Sequence, residues 1–327
     1  MWTTKAKALA WLAGIVACGN VAFCESIAQD YPVRPIRLVV GFTPGGVADA
    51  VGRLLAQNLL EPLGQPVTVE NRGGASGAIA YDMVAKSRPD GYTLLIVGAT
   101  AAVLPSLRSK LPYDLERDLA PISLVATAPF VLAIHPSVPA RNVKELLALA
   151  RAQPGKLSYG SVGAGSPPNM MGGLFNLLGK VNIVHVPYQG GAANAIANAS
   201  GEVEMSFLSI PSLLPLLNAH KLKPLAVTSL KRSSLMPSLP SLDESGLRGY
   251  DYSNWNGVVT PARTPKEIVT RLNAAIVKVV NTPAMNESLS RQGMEPLTST
   301  PDEFGHYIHN EIGKNAKLIK SLALKAE

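Results

Sequence analysis

The sequence predicts an α/β protein with two doubly wound sheets, and three observations lead there. Short apolar strands alternate with helical stretches from Ile36 to Val97, and a second such series runs from Phe130 to Leu208. A glycine-rich loop follows an apolar strand in each series: Gly41-Phe42-Thr43-Pro44-Gly45-Gly46 in the first, Gly160-Ser161-Val162-Gly163-Ala164-Gly165-Ser166 in the second. The chain has 327 residues, 47% hydrophobic and 16% charged, which is a globular profile long enough to bury two cores.

In chain order, Ile36–Val40 reads as a strand, and Asp49–Leu60 as a helix carrying Val51, Leu54, Leu55 and Leu59 at helical spacing. Pro66–Glu70 is a strand, Ala78–Ala85 a helix, and Thr93–Val97 a strand after the Pro89-Asp90-Gly91 turn. This succession implies a mostly parallel sheet with helices on both faces. The second series reads strand Phe130–Ile134, helix Val143–Ala152, strand Leu157–Tyr159, helix Met170–Leu178, strand Val181–Val186, helix Ala192–Ala199 and strand Val203–Leu208. After a strand at Leu225–Thr228 the chain crosses a Ser/Pro-rich stretch to a strand at Asn256–Val259. It ends in helices over Pro265–Val280, Glu287–Gln292 and Asp302–Leu322.

Lys5 and Lys7 precede an apolar run from Ala8 to Ala17, and Ser26-Ile27-Ala28 offers small residues for cleavage. Residues 1–28 therefore read as an export signal, the run being too short for a permanent membrane span. Ile15-Val16-Ala17-Cys18 also resembles a lipoprotein box, so an acylated form anchored at Cys18 stays open beside the free one. Both cysteines, Cys18 and Cys24, precede the expected cut, which leaves an exported chain held together by its core alone. Formal charge is +7, or +6 once Lys5, Lys7 and Glu25 are removed. That surplus suits an anionic ligand and equally a soluble surface. Lys and Arg are scattered with no aromatic-rich basic stripe, so no nucleic acid partner is expected.

Glycine lacks a Cβ and lets backbone N–H groups approach a ligand, and a helix start adds its positive dipole end. Two such loops can grip one anion without nucleophile or base, which suggests a two-lobed receptor for a small acid rather than an enzyme. The second loop does not complete G-x-G-x-x-G, and no G-x-S-x-G elbow occurs. Of the histidines only His306 and His309 lie close in sequence, with no ligand partner nearby. No cofactor, metal or catalytic residue is expected; a hydrolase is the weakest of the alternatives.

Several stretches together resemble the solute receptors of tripartite tricarboxylate transporters, the Bug family. They are Tyr31-Pro32-Val33-Arg34-Pro35-Ile36-Arg37, Pro44-Gly45-Gly46-Val47-Ala48-Asp49, Val69-Glu70-Asn71-Arg72-Gly73-Gly74-Ala75-Ser76-Gly77 and Pro89-Asp90-Gly91-Tyr92-Thr93-Leu94. Later come Leu111-Pro112-Tyr113-Asp114, His185-Val186-Pro187-Tyr188, and Trp255-Asn256-Gly257 with Pro261 and Thr264-Pro265. The resemblance implies a periplasmic binding protein of the type II, Venus-flytrap form, with two lobes closing at a hinge on a small organic carboxylate. It also implies delivery to the membrane subunits of such a transporter; a ligand-sensing partner of a membrane signalling protein would use the same fold. Lobe 1 would comprise residues 29–127 plus about 231–327, and lobe 2 residues 128–230.

The expected ligand site lies beyond the carboxyl ends of the strands. From the first lobe it takes Phe42, Pro44, Gly45, Gly46 and Asp49, with Ser76, Gly77, Thr100 and Ala101. Asp49 reads as a helix-entry or loop-bracing group rather than an anion contact, since a carboxylate repels an acid. The second lobe gives Ser161, Gly163, Gly165 and Ser166 as N–H and hydroxyl donors, with Asn169, Tyr188 and Gln189; Trp255 and Tyr188 are read as an apolar wall or as packing. Asn169 and Gln189 stand where the family has His and Lys, and Asn198 where it has Asp. Gly41 and Thr43 stand where Pro is common. These changes remove charge around the mouth, and a weakly charged or longer acid becomes as plausible as a tricarboxylate.

Overall fold

The computed structural model describes residues 31–322. The export signal expected over residues 1–28, and with it the Cys18 anchor, lies outside them. In chain order the first elements are β1 (Ile36–Val40), α1 (Val47–Leu63), β2 (Val67–Asn71), α2 (Ala78–Ala85), β3 (Thr93–Gly98), α3 (Ala99–Leu107) and β4 (Leu119–Ala128). Then follow β5 (Phe130–Ile134), α4 (Val143–Ala152), β6 (Ser158–Ser161), α5 (Pro167–Gly179), β7 (Val184–Pro187), α6 (Gly191–Ser200), β8 (Met205–Ser209), α7 (Ile210–Asn218) and β9 (Lys223–Val227). The last are β10 (Asn254–Pro261), α8 (Lys266–Val280), α9 (Pro283–Arg291), β11 (Glu295–Pro296) and α10 (Pro301–Ser321).

Two sheets form, ordered β11-β4-β10-β3-β1-β2 and β7-β6-β8-β5-β9. β1 pairs in parallel with β2 and β3, as β6 does with β7 and β8. In each sheet a strand that has just arrived from the other, β10 in the first and β5 in the second, inserts antiparallel between its neighbours. The sheets are therefore mixed rather than uniformly parallel. Reversal of the inserted strand follows from the chain re-entering at the end where the other strands finish.

The inner strands β3 and β5 are almost wholly apolar because both faces of each sheet are covered there, whereas the edge strands β2 and β7 are partly exposed. Leu38 and Val40 pack with Val51, Leu55 and Leu59 of α1 and with Leu272 and Ile276 of α8, whereas Val39 turns to the opposite face with Tyr81, Phe304 and Ile308. The second sheet repeats this: Leu132, Tyr159 and Phe207 pack with α4 and α5, and Val131 and Leu208 with Ala195 and Leu213. Residues after β9 stay with that sheet, since Leu242 N–H donates to Val227, Tyr252 N–H donates to Thr228, and Leu247 and Tyr250 join its core. Helix α10 opens on the first sheet with a capping box, Thr300 and Glu303, and ends with Leu318 and Ile319 against the second core.

The sequence pattern does not predict β4, α3 or α7. β4 contains Pro121, α7 contains Pro211 and Pro215, and α3 is apolar on nearly all sides, so no stripe marks it. Among the described residues no helix is long and apolar enough to cross a membrane. Gly257 is among the glycines demanded by packing: a Cβ there would collide with the ring of Phe304, which stands edge-on to Trp255 at 5.8 Å. Gly257→Ala is expected to cost about 1–3 kcal/mol, the range for overpacking, read from the midpoint of urea unfolding. An unchanged midpoint would show that α10 shifts freely.

Candidate functional site

The carboxyl ends of β1, β3, β6 and β8 and the amino ends of the reversed strands β5 and β10 meet at one cleft between the sheets. Two adjoining cavities of about 270 Å³ each open there and share Val47 and Pro167. A larger cavity of about 460 Å³ lies between α5 and α10, lined by Leu174, Leu177 and Lys317. No strand end reaches it, so the cleft is the candidate site.

The first loop is shaped by a buried anion. Gly45, at φ +88°, donates its N–H to Asp49 Oδ2 at 2.9 Å, and Arg53 Nε donates to the same oxygen at 2.9 Å. Asn71 Nδ2 donates to Asp49 Oδ1 and to the carbonyl of Phe42. The Arg53 guanidinium, with the Gly45 and Asn71 hydrogen bonds, holds the Asp49 carboxyl down at about 2, against the burial that raises it. Asp49 thus braces the loop, and the N–H of Gly45 is already used. Helix α1 then begins at Gly46 with no side-chain cap, so its first-turn N–H groups lack intrahelical acceptors.

The second loop repeats the device without charge. Gly165, at φ +72°, donates its N–H to Oδ1 of Asn169, four residues on, and Asn169 Nδ2 donates to the hydroxyl of Tyr159. Asn169 is buried and serves as the counterpart of Asp49. Ser161 is fully buried; its Oγ accepts from Gly163 N–H and lies 2.5 Å from Nε2 of His185, whose pKa burial lowers. Ser166 Oγ donates to the carbonyl of Gly163 at 2.6 Å. These groups fix the loop. Helix α5 opens with Pro167-Pro168, which removes two donors and puts a proline ring at the cleft.

Donors remain on other elements. Helices α3, α6 and α7 start at Gly98, Gly190 and Ser209 without side-chain caps, and Gly98, Gly191 and Ser209 line the cavities. Helices α4, α9 and α10 are capped by Asn142, Thr282 and Thr300, none of which lines either cavity. α2 and α8 also lack a side-chain cap, at Gly77 and Pro265, and neither start lines the two cavities. Asn256 lines the first cavity at 5% exposure, and its carboxamide makes no hydrogen bond among the described residues. Asn194 lines the second; its Oδ1 accepts from Ser206. No charged residue lines either cavity. Among the described residues no cluster of His, Cys, Asp or Glu is placed to hold a metal.

Of the residues singled out in the sequence, Phe42, Gly46 and Thr100 line the first cavity, beside the exposed Pro44 and Gly45. Ser76 and Gly77 form a turn against the first loop, where a Cβ on Gly41 would sit 3.0 Å from Gly77 Cα, and neither lines the two cleft cavities. Gly163 lies on the second loop, and neither it nor Gly165 lines a cavity. Ala101 and Trp255 are fully buried in the first core, and Tyr188 directs its hydroxyl to Glu202. The exposed Gln189 lines neither cavity. Of the two readings of Trp255, packing is the one observed: strand alternation turns it inward and its neighbours Asn254 and Asn256 to the cleft. Asn254, Asn256, Asn194, Phe130 and Phe207 were not singled out. The polar residues flanking Trp255 in an otherwise apolar strand are the signal that would have found the first two.

The family model described as tripartite tricarboxylate transporter family receptor matches residues 51–324. The chain belongs to that receptor family. It is 34% identical over 321 residues to Protein BugT of Bordetella pertussis (strain Tohama I), covering 98% of both chains. Among solved structures it is similar to Rpa4515 of R. palustris with adipate, at 35% identity and TM-score 0.74, covering 89% of this chain and 98% of that one. It is also similar to MatC of Rhodopseudomonas palustris with bound malate, at 28% identity and TM-score 0.70, covering 88% of this chain and all of the other. Membership places this receptor among two-lobed solute-binding proteins rather than enzymes.

Proposed function

We propose that the chain is the extracytoplasmic receptor of a tripartite tricarboxylate-type transporter, capturing a small organic carboxylate in the periplasm and delivering it to the membrane subunits. One observation carries this reading: a buried, unpartnered Asn256 faces the same cavity as the uncapped starts of α1 and α3. Oriented amides and helix dipoles can hold a carboxylate without a counter-ion side chain. Relatives solved with adipate and malate support the ligand class. In this reading the two lobes close at crossings near Ala128–Phe130 and between residues 228 and 256; packing of the segment after β9 on the second core supports Tyr252–Asn254 for the second. The first lobe then holds residues up to about 128 and from about 254.

Thermal unfolding of residues 29–327 with a panel of carboxylates tests the reading. A cognate acid at a hundred times its Kd is expected to stabilise the protein by about 2.7 kcal/mol and to be recovered chemically unchanged. A panel that leaves the midpoint unmoved, or time-dependent turnover of a bound acid, would overturn it.

A further inference from the structure

We propose that the acid held here is a monocarboxylate with an uncharged, mainly apolar body, aromatic or aliphatic, in preference to polycarboxylates and hydroxy acids. The proposal rests on the reading of the cleft as an organic-acid site and goes on to name the class of acid.

The two cavities differ in chemistry. The first presents Asn254, Asn256 and Thr100 with two uncapped helix starts, and there one carboxylate finds several donors. The second is walled by Phe130, Val162, Pro167, Phe207 and Leu208. The helix ends around it offer few donors: α5 starts with Pro167 and Pro168, α7 has Pro211 in its first turn, and the hydroxyls of Ser209 and Ser212 bond each other at 2.8 Å. What is left is Nδ2 of Asn194, whose Oδ1 accepts from Ser206, the one hydroxyl proton that the Ser209–Ser212 bond leaves over, the first-turn N–H groups of α7 that Pro211 does not remove, and the opening turn of α6. With prolines removing donors from two of the three helix starts here, an apolar wall between the rest, and no Lys, Arg or His in the lining, a second carboxylate would give up more hydrogen bonds to water than it gained. A hydrocarbon or aromatic body in the same place gains from burial.

Calorimetric titration of residues 29–327 at neutral pH with hexanoate, benzoate, adipate and citrate decides between the classes. Adipate matches hexanoate in chain length and adds only the second carboxylate. At least one monoacid is expected to bind about tenfold or more tighter than adipate, and citrate more weakly still. Adipate or citrate binding as tightly as the monoacids would overturn the proposal and leave the carboxylate receptor standing. No binding by any of the four, with none by the wider panel, would remove the receptor reading and the proposal together. Val162→Arg, at a site 37% exposed and so tolerant of a charge, serves as the second arm. It is expected to shift the adipate-to-hexanoate affinity ratio by about tenfold or more toward adipate. An unchanged ratio in the folded variant would overturn the placement of the apolar end.

Discussion

Asn256→Asp is expected to abolish capture of organic acids at neutral pH while the protein stays folded. The residue is nine-tenths buried at the mouth of the first cavity, and its carboxamide is not needed by any other described residue. Replacing it with an isosteric anion puts a negative charge where the ligand's own must sit, with no cation in the lining to offset it. A loss of about a hundredfold or more in affinity follows from like-charge juxtaposition in a partly desolvated site. The sign with pH is the distinguishing feature. Burial and the nearby ligand charge both raise the new carboxyl's pKa, so it takes up a proton as pH falls, becomes neutral and restores part of the affinity. Titration calorimetry of wild type and variant at neutral and mildly acidic pH reads both effects. Binding at wild-type strength would show that the carboxylate sits elsewhere.

The second large effect is expected at Asp49. Asp49→Ala strips the partner from Gly45 N–H, from Arg53 and from Asn71 at once. Breaking a buried pair is more costly than the pair's own contribution, because the orphaned donors remain; Arg53 is about half exposed, which softens that loss. About 2–4 kcal/mol of stability and about tenfold in ligand affinity should go together, by urea unfolding and calorimetry. Asp49→Asn should be milder, since Asn169 braces the other loop in this way already. Because the Asp49 carboxyl lies at about 2 in the folded protein and higher when unfolded, its contribution is complete above about pH 4 and fades as pH falls through 2. Stability equal to wild type in the alanine variant would show that the loop holds itself.

Much of this is legible in the sequence. The loop glycines announced themselves because left-handed backbone suits a residue without Cβ, and Gly45, Gly163 and Gly165 do carry positive φ. Pro167-Pro168 also states in the sequence that α5 opens two donors short. Less legible was which side of a strand meets the cleft. Trp255 drew notice as a large aromatic, yet period-two alternation buries it and presents Asn256, a choice that depends on where α10 packs. Asn169 read as a loss of charge at the mouth and is instead a buried brace. Phe130 and Phe207 look like core residues in any strand; only the reversed entry of β5 brings the first to the cleft.

That reversed entry has a consequence for how the molecule is made. A ribosome delivers β1 to β4 first, but β3 and β4 cannot become neighbours through hydrogen bonds until residue 254 onward has emerged to lie between them. Until then β3 keeps one unpaired edge and β4, whose other partner β11 comes later still, keeps two, each a template for the wrong partner. The whole second sheet must be synthesised inside that interval, so the first half cannot finish early and the two halves mature almost together. A fragment cut at residue 128 would inherit the gap permanently, and aggregation rather than an isolated half-receptor is its natural fate.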